Sequence, residues 1–228
     1  IQKYQRLLNQ RNILLKRLSL KKATENSIIS ELEIWDRQLA ETGAEIIEKR
    51  LQTIVKLNPL TRLMQRKLSK GQENLEIQYI FNRKETIQPG TDIREKLLQA
   101  REENLKNDLK YGITQWGPHR DDLAITLNGI NLKQFGSQGQ QRTAVLALKL
   151  AELEFFRGES GEYPILLLDD VMSELDKNRR EQLLQVIYEK SIQCFITSTD
   201  KIDFGDYEKR NICTFEINKG SISPLACL

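Results

Sequence analysis

Two clusters in this 228-residue sequence carry residue types suited to phosphate and metal chemistry. The first is Ser137-Gln138-Gly139-Gln140-Gln141-Arg142, a polar, glycine-containing turn ahead of a helical pattern. Such a turn offers a hydroxyl and backbone N–H groups to an anion. Ser137, Gln138 and Gly139 are therefore candidate phosphate contacts, and Gln140 is a polar arm that could reach the same anion. An ordinary serine-capped loop has the same composition. The second cluster is the run Ile165 to Leu168 with Asp169-Asp170 at its end and Ser173-Glu174-Leu175-Asp176 behind it. An apolar run ending in two acids reads as a buried strand whose tip delivers carboxylates to a site. A carboxylate there is costly unless it binds something. A magnesium ion held through water at Asp169, beside a phosphate, meets that cost. Asp170 points the other way, toward where an attacking water would stand. A plain strand-to-helix turn is the alternative.

A phosphate-cradling loop of the form G-x-x-x-x-G-K-[ST] does not occur in residues 1–228, and the chain begins at Ile1. The expectation is a fragment whose nucleotide-cradling lobe lies upstream. Charged residues make up 29% and hydrophobic residues 39%, which fits a globular chain and not a disordered one. No apolar stretch approaches the ~18 residues of a membrane span. Cys194, Cys213 and Cys227 form no C-x-x-C pair and read as reduced structural thiols of a cytoplasmic protein.

Charge divides the chain. Residues 1–115 carry 22 Lys and Arg against 15 Asp and Glu, and residues 116–228 carry 13 against 17. A basic half joined to an acidic half suggests modules with different partners. Helical periodicity covers residues 4–20 and 27–57, with Arg11 interrupting the first apolar face and a bend possible at Gly43. Asn58-Pro59 reads as a stop and a restart, with a further helix over 59–70. Leu75 to Tyr79 alternates as a strand, and 92–110 returns to a charged helix. Residues 1–115 are thus a mainly helical arm. From 116 the pattern changes. Leu123 to Leu127 alternates, Asn128-Gly129 signals a type I′ hairpin, and 130–132 is the return strand. A mostly buried helix over 141–156, a strand over 165–169, a helix over 177–189 and strands at 194–196 and 214–217 follow. Residues 116–228 are therefore an α/β lobe with a parallel element.

The segment Ser137 to Thr143 resembles the signature of ABC-type ATPases in the form used by the RecF recombination-mediator family. The block Gly117-Pro118-His119-Arg120-Asp121-Asp122 is similar to the same family. Pro164 to Asp176 looks like its Walker B strand and D-loop. Gln10-Arg11-Asn12, Leu14-Leu15-Lys16 and Trp35-Asp36 resemble the opening of its helical second domain. The resemblance implies an α/β fold: the C-terminal part of an ABC/SMC-like ATPase head, with a mixed sheet and helices, preceded by a mainly helical arm. It implies ATP and Mg2+ as cofactors, both needing the upstream lobe. It also implies an ATP-bound homodimer that clamps DNA at gaps, recruits RecR and helps load RecA, with no membrane role. Carried over, Asp169 matches the magnesium-side acid and Asp170 the catalytic acid. Ser137, Gln138, Gly139 and Gln140 match the contact to the partner subunit's nucleotide, and Asp176 the D-loop acid. Two departures from the transporter pattern stand out. Asp170 replaces Glu, which is consistent with slow hydrolysis. Thr197-Ser198-Thr199 follows strand 194–196 where a switch histidine is expected, so a hydroxyl stands in.

DNA phosphate contact is assigned to two basic clusters, Lys16, Arg17, Lys21 and Lys22, and Arg62, Arg66 and Lys70 at every fourth position. A solvated face is the plain alternative. His119 reads as a turn residue satisfied by local backbone or as a phosphate or interdomain contact. Arg120 reads as a local salt bridge or a hinge contact. Two rival functions remain at this level: a transporter nucleotide-binding subunit, and a non-enzymatic interaction module.

Overall fold

The computed structural model describes residues 1–20, 25–199 and 212–227. The chain forms two compact units, one of residues 1–59 and 76–131, the other of residues 60–75 and 132–228. The hairpin at 122–131 thus counts with the helical part, and the end of the second helix counts with the C-terminal part.

In the first unit, helices α1 (Gln2–Leu20), α2 (Glu25–Leu68) and α3 (Ile93–Tyr111) accompany strands β1 (Leu75–Phe81), β2 (Glu85–Thr86), β3 (Asp122–Leu127) and β4 (Ile130–Asn131). The strand order is β2-β1-β3-β4. Alternate residues of β1 are buried, as strict sequence alternation requires of a half-covered strand. Asn128 and Gly129 take φ of +50° and +81°, the pair of left-handed values a type I′ turn needs. The return strand ends at Asn131, and Leu132 opens the short helix α4 (Leu132–Phe135) instead of extending it.

Helix α2 runs through Asn58-Pro59 without stopping, contrary to the expected restart. The Asn58 side chain is spent elsewhere. Its Nδ2 donates to the Ile77 carbonyl at 2.9 Å and its Oδ1 accepts the Ile77 N–H at 2.8 Å, so it ties α2 to β1 and caps nothing. Proline then only removes one helical hydrogen bond, and buried Leu51, Met64 and Leu68 hold the helix on either side of it. Gly43 is a packing position within this helix: a Cβ there would lie 3.2 Å from both Leu97 and Pro118.

The core of this unit joins Tyr4, Leu39, Ile47, Tyr79, Phe81, Leu97 and Trp116. Arg11 breaks the apolar face of α1 because it is the hub of a buried polar cluster. Its side chain is fully buried; Nε donates to Asp36 at 2.6 Å, and Nη1 donates to Asp108 at 2.7 Å and to the Thr114 hydroxyl at 2.9 Å. Asp36 also accepts from Arg101 Nε at 2.6 Å, and the guanidinium of Arg11 lies over the Trp116 ring at 5.1 Å. Two arginines and two aspartates therefore neutralise one another away from water.

The turn after Trp116 packs on α1. Gly117 has φ +106°, and a Cβ there would collide with the Tyr4 hydroxyl, so glycine is required twice over. His119 Nδ1 meets that hydroxyl at 2.8 Å, and its Nε2 lies 3.3 Å from the Thr114 carbonyl. Arg120 makes no salt bridge among the described residues; it donates twice to the same carbonyl, at 3.2 and 3.0 Å. Asp121 accepts from the Tyr79 hydroxyl at 2.5 Å and from the Asn82 N–H at 2.6 Å. Burial holds His119 below its ordinary 6.5 against the Thr114 carbonyl, which favours the charged form. The unfolded chain then binds more protons than the folded one as pH falls through that ordinary value, so stability is present above it and lost below it. Thermal unfolding should therefore occur at a lower temperature at about pH 5.5 than at about pH 7.5. His119→Gln should flatten the difference, and an unchanged slope would exclude His119 as its source.

The second unit holds α5 (Gln138–Ser160), β5 (Leu166–Asp169), α6 (Val171–Glu174), α7 (Lys177–Glu189), β6 (Cys194–Thr197), β7 (Cys213–Asn218) and β8 (Ser221–Cys227). Helix α5 buries Ala144, Leu146, Ala147, Leu150, Ala151 and Leu153, while Val145 is exposed. Strands β5 and β6 pair in parallel, with Asp169 opposite Thr197. The all-apolar run buries one face only: Leu166 and Leu168 are covered, whereas Leu167 is 73% exposed. The expected buried strand is thus covered on one face in this structure. Strands β7 and β8 form an antiparallel hairpin that places Cys213 opposite Cys227, and Cys213 is disulfide-bonded. The reading of reduced thiols therefore holds for Cys194, which is free and whose thiol burial pushes up to about 11, and fails for Cys213.

Candidate functional site

The Ser137 turn, the acid pair and Asp176 all lie in the second unit. Ser137 caps α5 from an extended conformation, and its Oγ accepts the Gln140 N–H at 3.2 Å. Gln140 Oε1 accepts the Ser137 N–H at 3.0 Å in return, which completes a reciprocal capping box. The other end of the same amide is also engaged: Gln140 Nε2 donates to Glu73 Oε1 at 3.2 Å. Gln140 is therefore the brace of the turn and not a free polar arm in this structure. What the turn offers an anion is the Ser137 hydroxyl proton, the first-turn N–H groups of Gln138 and Gly139, and the positive end of a 23-residue helix.

The turn is held from two sides by residues that the motif reading missed. Glu73 accepts from Gln65 Nε2 at 2.7 Å as well as from Gln140. Arg179 Nη1 donates to the Gly139 carbonyl at 3.3 Å, which also accepts from the Thr143 hydroxyl at 2.7 Å. Asp176 caps α7 by accepting the Arg179 N–H at 3.0 Å, and its other oxygen lies 3.5 Å from Arg179 Nε. Arg179 thus joins the signature turn to the turn carrying Asp176. The spacing of Asp176 and Arg179 was a legible local signal. Glu73 had none, because its partner Gln140 is 67 residues away.

The acids stand at the tip of β5. Asp169 accepts a short hydrogen bond from the Thr197 hydroxyl, and its other carboxylate oxygen has no protein partner among the described residues. Both Asp169 and Asp170 are exposed, so the burial cost expected at Asp169 is absent here. Asp170 has φ +51°, a left-handed value that a residue with a Cβ seldom adopts. Its N–H is held by the Thr197 carbonyl at 3.2 Å and hydroxyl at 3.1 Å, and its carbonyl accepts from the Ser173 hydroxyl at 2.8 Å. Its carboxylate caps nothing. The backbone is pinned, and among the described residues the carboxylate has no hydrogen-bond partner. The Thr197 hydroxyl thus links the two acids, donating to Asp169 and accepting from the Asp170 N–H.

Among the described residues no group of three or more His, Cys, Asp and Glu is placed to hold a metal ion. The donor set fits a water-rich magnesium ion, which needs few protein ligands and takes others from phosphate.

The basic candidates fall in separate places. Lys16 and Arg17 are exposed on α1, and Lys21 and Lys22 lie outside the described residues. Arg62 and Arg66 are exposed on α2. Lys70 does not continue their face. The helix ends at Leu68 in a turn closed by Gly71 N–H to the Arg66 carbonyl at 2.7 Å, with Lys70 at φ +53°. The Lys70 ammonium donates to Asn178 Oδ1 on α7 at 3.0 Å.

A capped polar turn, an acidic parallel-strand tip and a following acid-capped helix give this part the mixed α/β fold class of an ABC/SMC-like head, with a mainly helical arm before it. The comparisons narrow the class. No family model matches the chain. A solved structure of the recombination mediator protein RecF with ATP in the RecFOR pathway is 41% identical, with a TM-score of 0.79 over 98% of this chain and 57% of that one. Among curated relatives, the DNA replication and repair protein RecF of Alkaliphilus oremlandii is 46% identical over 97% of this chain and 59% of its own length. That of Halothermothrix orenii is 43% identical over 98% and 59%. Over nearly its whole length the chain is similar to proteins named RecF, and it spans about three fifths of the length of those relatives. Among the described residues no helix is long and apolar enough to cross a membrane.

Proposed function

We propose that this chain is the arm and signature-bearing part of an ATP-switched DNA replication and repair protein acting in recombinational repair. The observation that carries the reading is the braced start of α5, with Ser137 and its first-turn N–H groups presented to an anion while Asp170 is pinned with a free carboxylate. Near full-chain likeness to proteins named for DNA replication and repair supports the same reading.

In the complete protein a phosphate-cradling loop supplied by upstream sequence holds ATP. Ser137 and the N–H groups of Gln138 and Gly139 contact the nucleotide of a second copy, so that ATP bridges a homodimer. Asp176 and Arg179 set the neighbouring turn in that seam. Asp169 would hold Mg2+ through water, and the ion would supply charge neutralisation at the phosphates. Asp170 orients a water and accepts its proton as the water oxygen bonds to the terminal phosphorus and the bond to the bridging oxygen breaks. The closed dimer clamps DNA, with Lys16, Arg17, Lys21, Lys22, Arg62 and Arg66 as phosphate contacts. RecR is the recruited partner, and loading of RecA is the outcome. A cytoplasmic site of action follows from that role.

The acid pair tests the assignment. In the full-length protein, Asp170→Asn should retain ATP and still dimerise but lose turnover by about 10²–10⁴-fold. Asp169→Asn should weaken magnesium-dependent nucleotide binding itself. Wild-type turnover in both variants would remove the pair from the chemistry.

A further inference from the structure

We infer that Glu73, which lies outside every recognised motif, is a positioning residue that sets the signature turn for its anion. The inference rests on the reading that Ser137 contacts a nucleotide phosphate. An amide side chain has two ends of nearly equal shape and opposite hydrogen-bonding sense. The capping box of α5 works only if the oxygen of Gln140 faces the Ser137 N–H, because that group can only donate. A carboxylate can only accept, so Glu73 at 3.2 Å forces the NH2 end of Gln140 toward itself and the oxygen toward Ser137. Glu73 therefore selects the amide orientation on which the box depends.

Glu73 is itself fixed. Gln65 is fully buried and donates to Glu73 Oε2 at 2.7 Å, and the Glu73 N–H donates to the Ser69 hydroxyl at 3.1 Å. The Gln65 Oε1 atom is buried without a partner, a cost accepted at the position that holds the carboxylate. Each contact lies within the second unit. Without Glu73 the Gln140 amide keeps only the Ser137 N–H to fix its orientation, swings more widely, and the box is held less firmly. The Ser137 hydroxyl and the N–H groups behind it lose their fixed direction. The anion site is weakened although no residue that touches the anion has changed.

The test uses the full-length protein and reads ATP-driven dimerisation by sedimentation and ATP affinity of the monomer by titration. Glu73→Ala should weaken the ATP-dependent dimer about tenfold, the worth of one hydrogen bond to a charged group, with monomer ATP affinity unchanged. Gln140→Ala should do the same. The double variant should be no worse than either single one, since Glu73 acts through Gln140. Glu73→Gln should restore most of the loss, because its oxygen still accepts from Gln140 while its NH2 meets Gln65 after that amide turns. Additive losses in the double variant, or wild-type dimerisation by Glu73→Ala where Ser137→Arg abolishes it, would overturn the positioning role. Normal dimerisation by Ser137→Arg as well would instead overturn the phosphate-contact reading on which it rests.

Discussion

Replacing Arg11 by methionine is expected to destabilise the helical unit by about 3–5 kcal/mol, the loss seen when one member of a buried ion cluster is removed. The reason is what remains. Asp36 keeps Arg101 as a partner, but Asp108 keeps only the Gln115 N–H and the Trp116 indole N–H. Burial already pushes the Asp108 carboxyl up from its ordinary value, and Arg11 is the main influence pulling it back down. Without the guanidinium the folded state must hold Asp108 protonated or not form. Asp108→Asn added to Arg11→Met should recover part of the loss, since the neutral amide needs no counter-charge. Urea unfolding of the two variants measures both effects. A single-variant loss below about 1 kcal/mol, the range of an ordinary substitution, would show that the cluster is held by packing and not by charge.

Much of this fold was legible because its signals are local. The cap and apolar face of α5, the Asn128-Gly129 turn and the apolar run of β5 with Asp169 at its tip each depend on residues within a few positions of one another. The misreadings have the opposite character. Arg11 looked like a fault in an apolar stripe because its partners Asp36 and Asp108 are 25 and 97 residues away. Asn58-Pro59 looked like a helix restart because an asparagine bound to a distant strand has the same letters as an asparagine cap. Arg62, Arg66 and Lys70 looked like one face until the helix was seen to end at Leu68. At the site, the signature turn and both acids were visible from motif order, whereas the residues that hold them were not. Glu73 acts on a side chain 67 residues away, and no short-range pattern marks such a pair.

Ser137→Arg in the full-length protein is expected to abolish ATP-driven dimerisation while leaving ATP binding by each monomer intact. The hydroxyl of Ser137 is small, sits at the mouth of α5 and accepts only the Gln140 N–H. A guanidinium in its place removes the cap, loses that bond and fills the space that a phosphate of the partner copy would occupy, while adding positive charge at a helix end that is already positive. Monomer binding should survive, because on the proposed reading the phosphates of a subunit's own ATP would be held by other residues. ATP-enhanced DNA binding should fall with the dimer. Weak binding through exposed Lys16, Arg17, Arg62 and Arg66 should persist and remain steeply dependent on salt, since counterion release at phosphates needs no nucleotide.

Sedimentation of the wild-type and Ser137→Arg full-length proteins, each with and without ATP, is the most direct measurement. The expected result is an ATP-dependent shift from monomer to dimer for the wild type and none for the variant, with equal ATP binding by both. A Ser137→Arg protein that dimerises with ATP as the wild type does would contradict the assignment of this turn as the contact between copies.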